Sequence, residues 1–278
     1  SSWVLPRAPR QLSEPCALRS PDFEHPLAHE SPYGYHGHSI PSELEGISLT
    51  VSGFPYELVI FDLDGTLTDS KLGITRSVQH ALSHFGIAVE NLDDLTHFIG
   101  PPLRDSFVEA YRFDDEQIVT ATRVYRERYS TVGLLENDVF PLTPALLEAV
   151  GKTGATMAVA STKGEPYVHR ILQHFGLDHH FAVMGGASLD HTILTKAEVI
   201  NRVLADLPAP VDPLRTIMIG DREHDIHGAR HHGIETISVR YGYAKPGELE
   251  AAGPLAIAET MQDLADILSV TLAPATEQ

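Results

Sequence analysis

The chain repeats a pattern that few folds satisfy: a short, continuous apolar run that stops abruptly at small or acidic residues and is followed by an amphipathic stretch. Leu58-Val59-Ile60-Phe61 ends in Asp62-Leu63-Asp64-Gly65-Thr66, and Met157-Ala158-Val159-Ala160 ends in Ser161-Thr162-Lys163. Phe181-Ala182-Val183-Met184 runs into Gly185-Gly186, Ile217-Met218-Ile219 into Gly220-Asp221, and residues 234–239 into Arg240-Tyr241-Gly242. Runs of this length without polar alternation read as strands buried on both faces. The stretches at about 143–151, 165–175, 195–206 and 222–231 are long enough for helices with one apolar face. Strand and helix in alternation predict an α/β fold, a three-layer core with a mainly parallel sheet covered by helices on both sides.

From Gly73 to about Asn137 the alternation stops. Helical patterns lie around 73–85, 102–111 and 114–131 with no convincing strand, so this insertion after the first strand reads as a second, helical domain. Neither an internal repeat nor a heptad seam occurs in it. Residues 1–53 are rich in Pro, Ser, Gly and His and lack any sustained apolar period, too little to offset the entropy of ordering them. They are expected to form a disordered N-terminal extension, in which His25, His29, His36 and His38 read as incidental rather than as a metal site. The expected organisation is a core of 54–72 and 138–272, a helical insertion of 73–137 and a short tail of 273–278.

Composition removes several function classes. With 38 Asp and Glu against 20 Lys and Arg, the formal charge of −18 repels nucleic-acid phosphates and anionic lipid, so neither nucleic acid nor membrane is an expected partner. No run approaches the roughly 18 apolar residues of a membrane span, and the first residues lack the basic-then-apolar order of a secretory signal. Cys16 is the single cysteine, which excludes an intrachain disulfide and a thiolate metal cage. A cytoplasmic protein is expected, and nothing in the sequence specifies an oligomeric state.

In an open parallel sheet the ligand crevice lies beyond the carboxyl ends of the strands, where the polar residues that end each apolar run converge. Asp62 and Asp64, two residues apart after the first run, point the same way in extended chain. Asp221 and Asp225 follow the fourth run. Carboxylates gathered at one sheet edge repel one another unless a cation neutralises them, and a divalent metal is the economical explanation. Ser161 adds a hydroxyl donor and Lys196 a fixed positive charge. A metal, an ammonium and a hydroxyl around a nucleophilic carboxylate suit phosphoryl transfer, which needs in-line positioning and neutralised negative charge.

Asp62-Leu63-Asp64-Gly65-Thr66, Ser161, Lys196 and Gly220-Asp221-Arg222-Glu223-His224-Asp225 resemble, in order and strand context, the motifs of the haloacid dehalogenase superfamily, in its phosphoglycolate-phosphatase-like branch. The resemblance spans residues 56 to about 270 and implies a Rossmann-like core with a helical cap of the C1 type at 73–137. It implies that Asp62 attacks phosphorus to form an aspartyl-phosphate and that Asp64 serves as general acid and base. It further implies Mg²⁺ held by Asp62, the Asp64 main-chain carbonyl and Asp221, with Asp225 contributing directly or through water. Ser161, Lys196 and the Thr66 main chain would bind the phosphoryl oxygens. Substrate choice would lie in the cap, where Ile99-Gly100-Pro101-Pro102-Leu103-Arg104 is the expected specificity loop and Arg104 is placed to meet a carboxylate or second phosphate.

Within the superfamily, dehalogenases typically lack the second aspartate, which is present here as Asp64. Transport ATPases carry Lys where this chain has Leu63, and phosphomutases often have Val at the place of Thr66. The expected activity is therefore hydrolysis of a small phosphorylated metabolite, phosphoglycolate first and a nucleoside monophosphate second, with pyrophosphate also open. The rival from another class is a non-catalytic protein of the same fold that binds or regulates, against which stands the intact acidic set. Two departures from the branch stand out. Leu142 follows Pro141 where Gly is usual, and His191 replaces a Gly in Leu189-Asp190-His191-Thr192-Ile193, where a positive φ would disfavour it. His191 and His224 both read as loop residues without a catalytic part.

Overall fold

In the computed structural model, which describes residues 53–189 and 192–273, Leu58–Phe61 forms the first strand, β1, buried along its whole length. The chain then makes a short β2 (Thr68–Asp69), runs through helices α1 (Lys71–His84), α2 (Leu103–Tyr111) and α3 (Asp115–Tyr129), and returns through β3 (Asp138–Val139). Beyond it, α4 (Thr143–Gly151), β4 (Thr156–Gly164), α5 (Glu165–His174), β5 (Val183–Ala187) and α6 (Lys196–Asp206) alternate. The alternation continues with β6 (Thr216–Gly220), α7 (Glu223–Arg230), β7 (Glu235–Val239), α8 (Glu248–Ala252), β8 (Ala256–Ala258) and α9 (Met261–Ile267). The expectations for the N-terminal extension, for His191 and for the end of the tail lie outside the described residues.

The sheet has six parallel strands in the order β5-β4-β1-β6-β7-β8, so β1 sits centrally with β4 on one side and β6 on the other. Its alternate residues feed opposite cores, as a two-residue side-chain period requires. Val59 and Phe61 join Leu146 and Leu147 of α4, Ile171 of α5 and Leu264 of α9, whereas Leu58 and Ile60 join Val199, Ile200 and Val203 of α6. These are the three layers expected of an α/β fold.

The excursion between β2 and β3 is entirely helical, as expected, and those two strands pair antiparallel, Thr68 opposite Val139 and Asp69 opposite Asp138. The chain therefore leaves and rejoins the core at one point. Inside the excursion Ile74, Val78, Phe98, Phe107 and Tyr129 are buried, and their cluster is continuous with Leu63 and Leu67 beside the sheet edge. The start of α3 is defined by a reciprocal capping box between Asp114 and Gln117.

Two strand boundaries differ from the sequence reading. Ser161-Thr162-Lys163 lies inside β4 instead of in a loop after it, with a register shift between Ser161 and Gly164. Gly185 and Gly186 lie inside β5, while Phe181 and Ala182 precede it. Glycine serves at position 185 because a Cβ there would collide with Val203 of α6, which packs directly on the strand backbone.

Candidate active site

Every candidate residue of the catalytic set stands at or just beyond the carboxyl end of a sheet strand or in the helix that follows it. Asp62 and Asp64 follow β1, Asp221 follows β6, Asp225 sits in the first turn of α7, Ser161 is in β4 and Lys196 opens α6. Parallel pairing of β4, β1 and β6 in register brings these strand ends side by side. The start of α6, and with it Lys196, is set by a capping box between Thr195 and Glu198.

Asp62, Asp221 and Asp225 are buried, with one carboxylate oxygen from each lying within 4.8 Å of the others. Lys196 Nζ, itself buried, lies 2.9 Å from Asp62 Oδ1 and 2.7 Å from Asp225 Oδ1, and donates to the Ala160 carbonyl at 2.9 Å. Burial works against its charge, but Asp225 and Asp62 more than offset this and hold the ammonium above its ordinary range. Asp62 Oδ1 also accepts the Leu63 N–H at 2.7 Å, while its Oδ2 has no hydrogen bond or ion pair among the described residues. The second oxygen of Asp225 accepts the Arg222 N–H at 3.0 Å, so protein groups hold both of its oxygens.

Asp221 is the informative member. Its Oδ2 accepts the Tyr243 N–H at 2.6 Å, but its Oδ1 is buried with no partner. Burial, with Asp225 and Asp62 adding to it, pushes its carboxyl well above the usual range. An orphaned oxygen of this kind, in an all-oxygen cluster carrying more negative charge than Lys196 balances, fits a hard divalent cation. Gly65 makes the approach possible: its φ is +82°, and a Cβ there would collide with the Asp221 carboxylate.

The phosphate-side residues are buried in the same place. The Thr66 N–H is spent on the Leu63 carbonyl at 3.3 Å, so the available donor of Thr66 is its hydroxyl, buried and without a partner. Ser161 is buried, and its Oγ accepts the Lys163 N–H at 3.4 Å. Arg104, in the first turn of α2, is exposed and paired with Asp115 at 2.6 Å. It does line a cavity of about 1000 Å³ between the helical excursion and the sheet edge, which also reaches Asp64, Tyr125, Arg126, Tyr167 and Leu189. His224, half-buried in α7, is outside the carboxylate cluster.

Sequence reading passed over four residues here. Lys163 Nζ lies 2.7 Å from Asp64 Oδ2 and donates to Tyr129 Oη of α3 at 2.6 Å. Buried Arg222 pairs with Glu248 at 2.7 Å and donates to the Ile99 carbonyl at 2.5 Å, while Thr162 Oγ1 donates to the Gly100 carbonyl at 2.7 Å. The loop at 99–104 is thereby tied to the core through its main chain. A signal for Lys163 existed: it stands two residues after Ser161 in a strand and so faces the same side. Tyr129 carried none, because only folding brings α3 to β4.

A parallel sheet whose central strand ends in paired aspartates, with an ammonium and further carboxylates beside them, is suited to phosphoryl transfer. The chain belongs to the haloacid dehalogenase-like hydrolases, whose family model matches residues 59–239. A 5'-nucleotidase of Pseudomonas aeruginosa is 44% identical over 199 residues, 72% of this chain and 89% of that protein. The tyrosine-protein kinase PtkA of Mycobacterium tuberculosis is 41% identical over 216 residues, 77% of this chain and 73% of that one. A crystal structure of a predicted phosphatase from Clostridium acetobutylicum superposes with a TM-score of 0.74 at 40% identity, covering 77% of this chain and 98% of the other.

Proposed function

We propose that the chain is a Mg²⁺-dependent phosphatase that hydrolyses a small phosphomonoester through an aspartyl-phosphate on Asp62. The observation that carries this reading is the Asp221 oxygen left buried and unpartnered beside Asp62, at the one sheet edge where Lys196 and Ser161 also converge. Asp62, the Asp64 carbonyl and Asp221 would hold the metal, and Asp225 would act mainly by fixing Lys196. Bound Mg²⁺ would supply neutralisation of the phosphoryl oxygens.

In this reading Lys196, Ser161 and the Thr66 hydroxyl bind the phosphoryl oxygens and hold phosphorus in line with Asp62. Lys196 and the Leu63 N–H fix the Asp62 carboxylate in place through its Oδ1. Asp64 gives a proton to the departing oxygen and then takes one from the water that opens the aspartyl-phosphate. The excursion at 73–137 acts as the cap, closing the cavity from bulk water and contacting the leaving group. The lone cysteine and acidic charge support a cytoplasmic setting. Among the described residues no helix is long and apolar enough to cross a membrane.

Cavity size favours a leaving group larger than glycolate, which moves a nucleoside monophosphate ahead of phosphoglycolate. The similarity to a 5'-nucleotidase supports the same order. The test is phosphate release from nucleoside monophosphates, phosphoglycolate, sugar phosphates and pyrophosphate, with Mg²⁺ or EDTA. Release that needs Mg²⁺ and disappears in Asp62→Asn is expected, and equal release by parent and variant would remove the mechanism. An aspartyl-phosphate can also pass its phosphoryl group to a protein hydroxyl, and a relative is named a tyrosine-protein kinase. The assay therefore follows phosphotyrosine alongside free phosphate, and phosphate is the expected product.

A further inference from the structure

We propose that Lys163 and Tyr129 form a positioning pair that selects which oxygen of Asp64 does the acid–base work. This rests on the phosphatase reading above and deepens it. Asp64 is buried at the inner end of the large cavity, and its two carboxylate oxygens differ sharply in environment. Oδ2 is held by the Lys163 ammonium at 2.7 Å, whereas Oδ1 is buried and has no hydrogen-bond partner. Lys163 is in turn anchored by its 2.6 Å bond to Tyr129 Oη. Tyr129 cannot easily yield, because its ring stacks on Tyr125 at 5.2 Å and meets Tyr167 edge-on at 5.5 Å.

A carboxyl group free to rotate offers either oxygen to a leaving group and spends part of its time aimed wrongly. Pinning Oδ2 removes that freedom and reserves Oδ1 for the substrate, so the orientation is fixed before the ester binds. A merely structural ion pair would leave no reason for the other oxygen to stay buried and unpartnered, since such an orphan is costly. The anchor comes from α3, in the helical excursion, while Lys163 and Asp64 belong to the core. The anchor on Lys163 is therefore complete when α3 lies against the sheet edge, which couples the position of the excursion to leaving-group chemistry.

The test compares 4-nitrophenyl phosphate, whose leaving group needs little protonation, with a nucleoside 5'-monophosphate, whose alkoxide needs it fully. Parent, Asp62→Asn, Asp64→Asn, Lys163→Met, Lys163→Arg and Tyr129→Phe are assayed with Mg²⁺, and their folding is checked by circular dichroism. Asp64→Asn sets the full size of the leaving-group effect. Lys163→Met is expected to lower kcat on the nucleotide by about 10–100-fold and on the aryl ester by no more than about threefold, with KM little changed. Tyr129→Phe, which keeps the ring and its stacking, should act in the same direction by roughly three- to tenfold. Lys163→Arg should recover part of the loss. Equal losses on both esters, a loss confined to KM, or a Lys163→Met enzyme as fast as the parent would overturn the proposal. If Lys163→Met does not fold, Tyr129→Phe alone decides by the same ratio. Failure of the underlying reading has a different signature, a parent inactive on both esters or an Asp62→Asn variant that matches it, and would remove both.

Discussion

At the scale of single residues, the site is governed by the cost of burying charge. Lys196 compensates two buried carboxylates at once, those of Asp62 and Asp225. Removing one partner of such a set leaves the others uncompensated, whereas the intact set roughly balances its own desolvation. Lys196→Met is therefore expected to destabilise the metal-free protein by about 3–5 kcal/mol, read from urea unfolding in EDTA. A loss below about 1 kcal/mol would mean that the carboxylates are protonated or hydrated in the native state. Arg104 is a lesson at the same scale. Its place after Pro101-Pro102 suggested a substrate contact; it lines the cavity together with Arg126, and its own carboxylate partner is the exposed Asp115.

At the scale of elements, the junction before α4 shows how a departure in sequence becomes strain in structure. Leu142, in the position where glycine is usual, adopts φ +71° as the residue preceding α4. The side chain packs partly against the main core, which offsets some of the backbone cost. Replacing it with alanine removes the packing and keeps the strain; replacing it with glycine removes both. Leu142→Gly is expected to be more stable than Leu142→Ala by about 1 kcal/mol, the reverse of the usual order of these residues, measured by thermal or urea unfolding. Alanine proving the more stable would show that this turn relaxes to negative φ. Most elements were legible because their apolar periods are strong: α4 matches its expected span of 143–151, and the helices of the excursion match within about two residues. The pairing of β2 with β3 was not legible, since two residues on each side carry no periodic signal.

At the scale of the whole molecule, the acidic cluster links stability to pH and to metal. Burial, with Asp62 adding and Lys196 opposing, pushes the Asp225 carboxyl from an ordinary 3.8 up to about 6. Asp221 is raised as well, by burial and by its acidic neighbours. Between those values the native state of the metal-free protein holds protons that the unfolded chain has released, so this contribution to stability falls as pH rises through the window. A divalent cation needs the carboxylates ionised and binds the native state, so its stabilisation grows over the same range. The difference in Tm between Mg²⁺ and EDTA is therefore expected to be larger at about pH 7 than at about pH 5. A difference independent of pH, or none, would place the cation elsewhere or nowhere. Apolar period and the gathering of ligands beyond parallel strands are local and topological facts, so the alternating core and the acidic set that follows its apolar runs were legible in the sequence, while the ends of β4 and β5 were not. Folding alone joins Asp62 to Asp225 through Lys196, sets Lys163 between Asp64 and Tyr129, and ties the loop at 99–104 to the core through Arg222. Lys163 and Tyr129 lie 34 residues apart in the chain, and Arg222 and Ile99 lie 123 apart. Contacts between such distant residues depend on how helices settle on the sheet, which residue type and spacing do not encode.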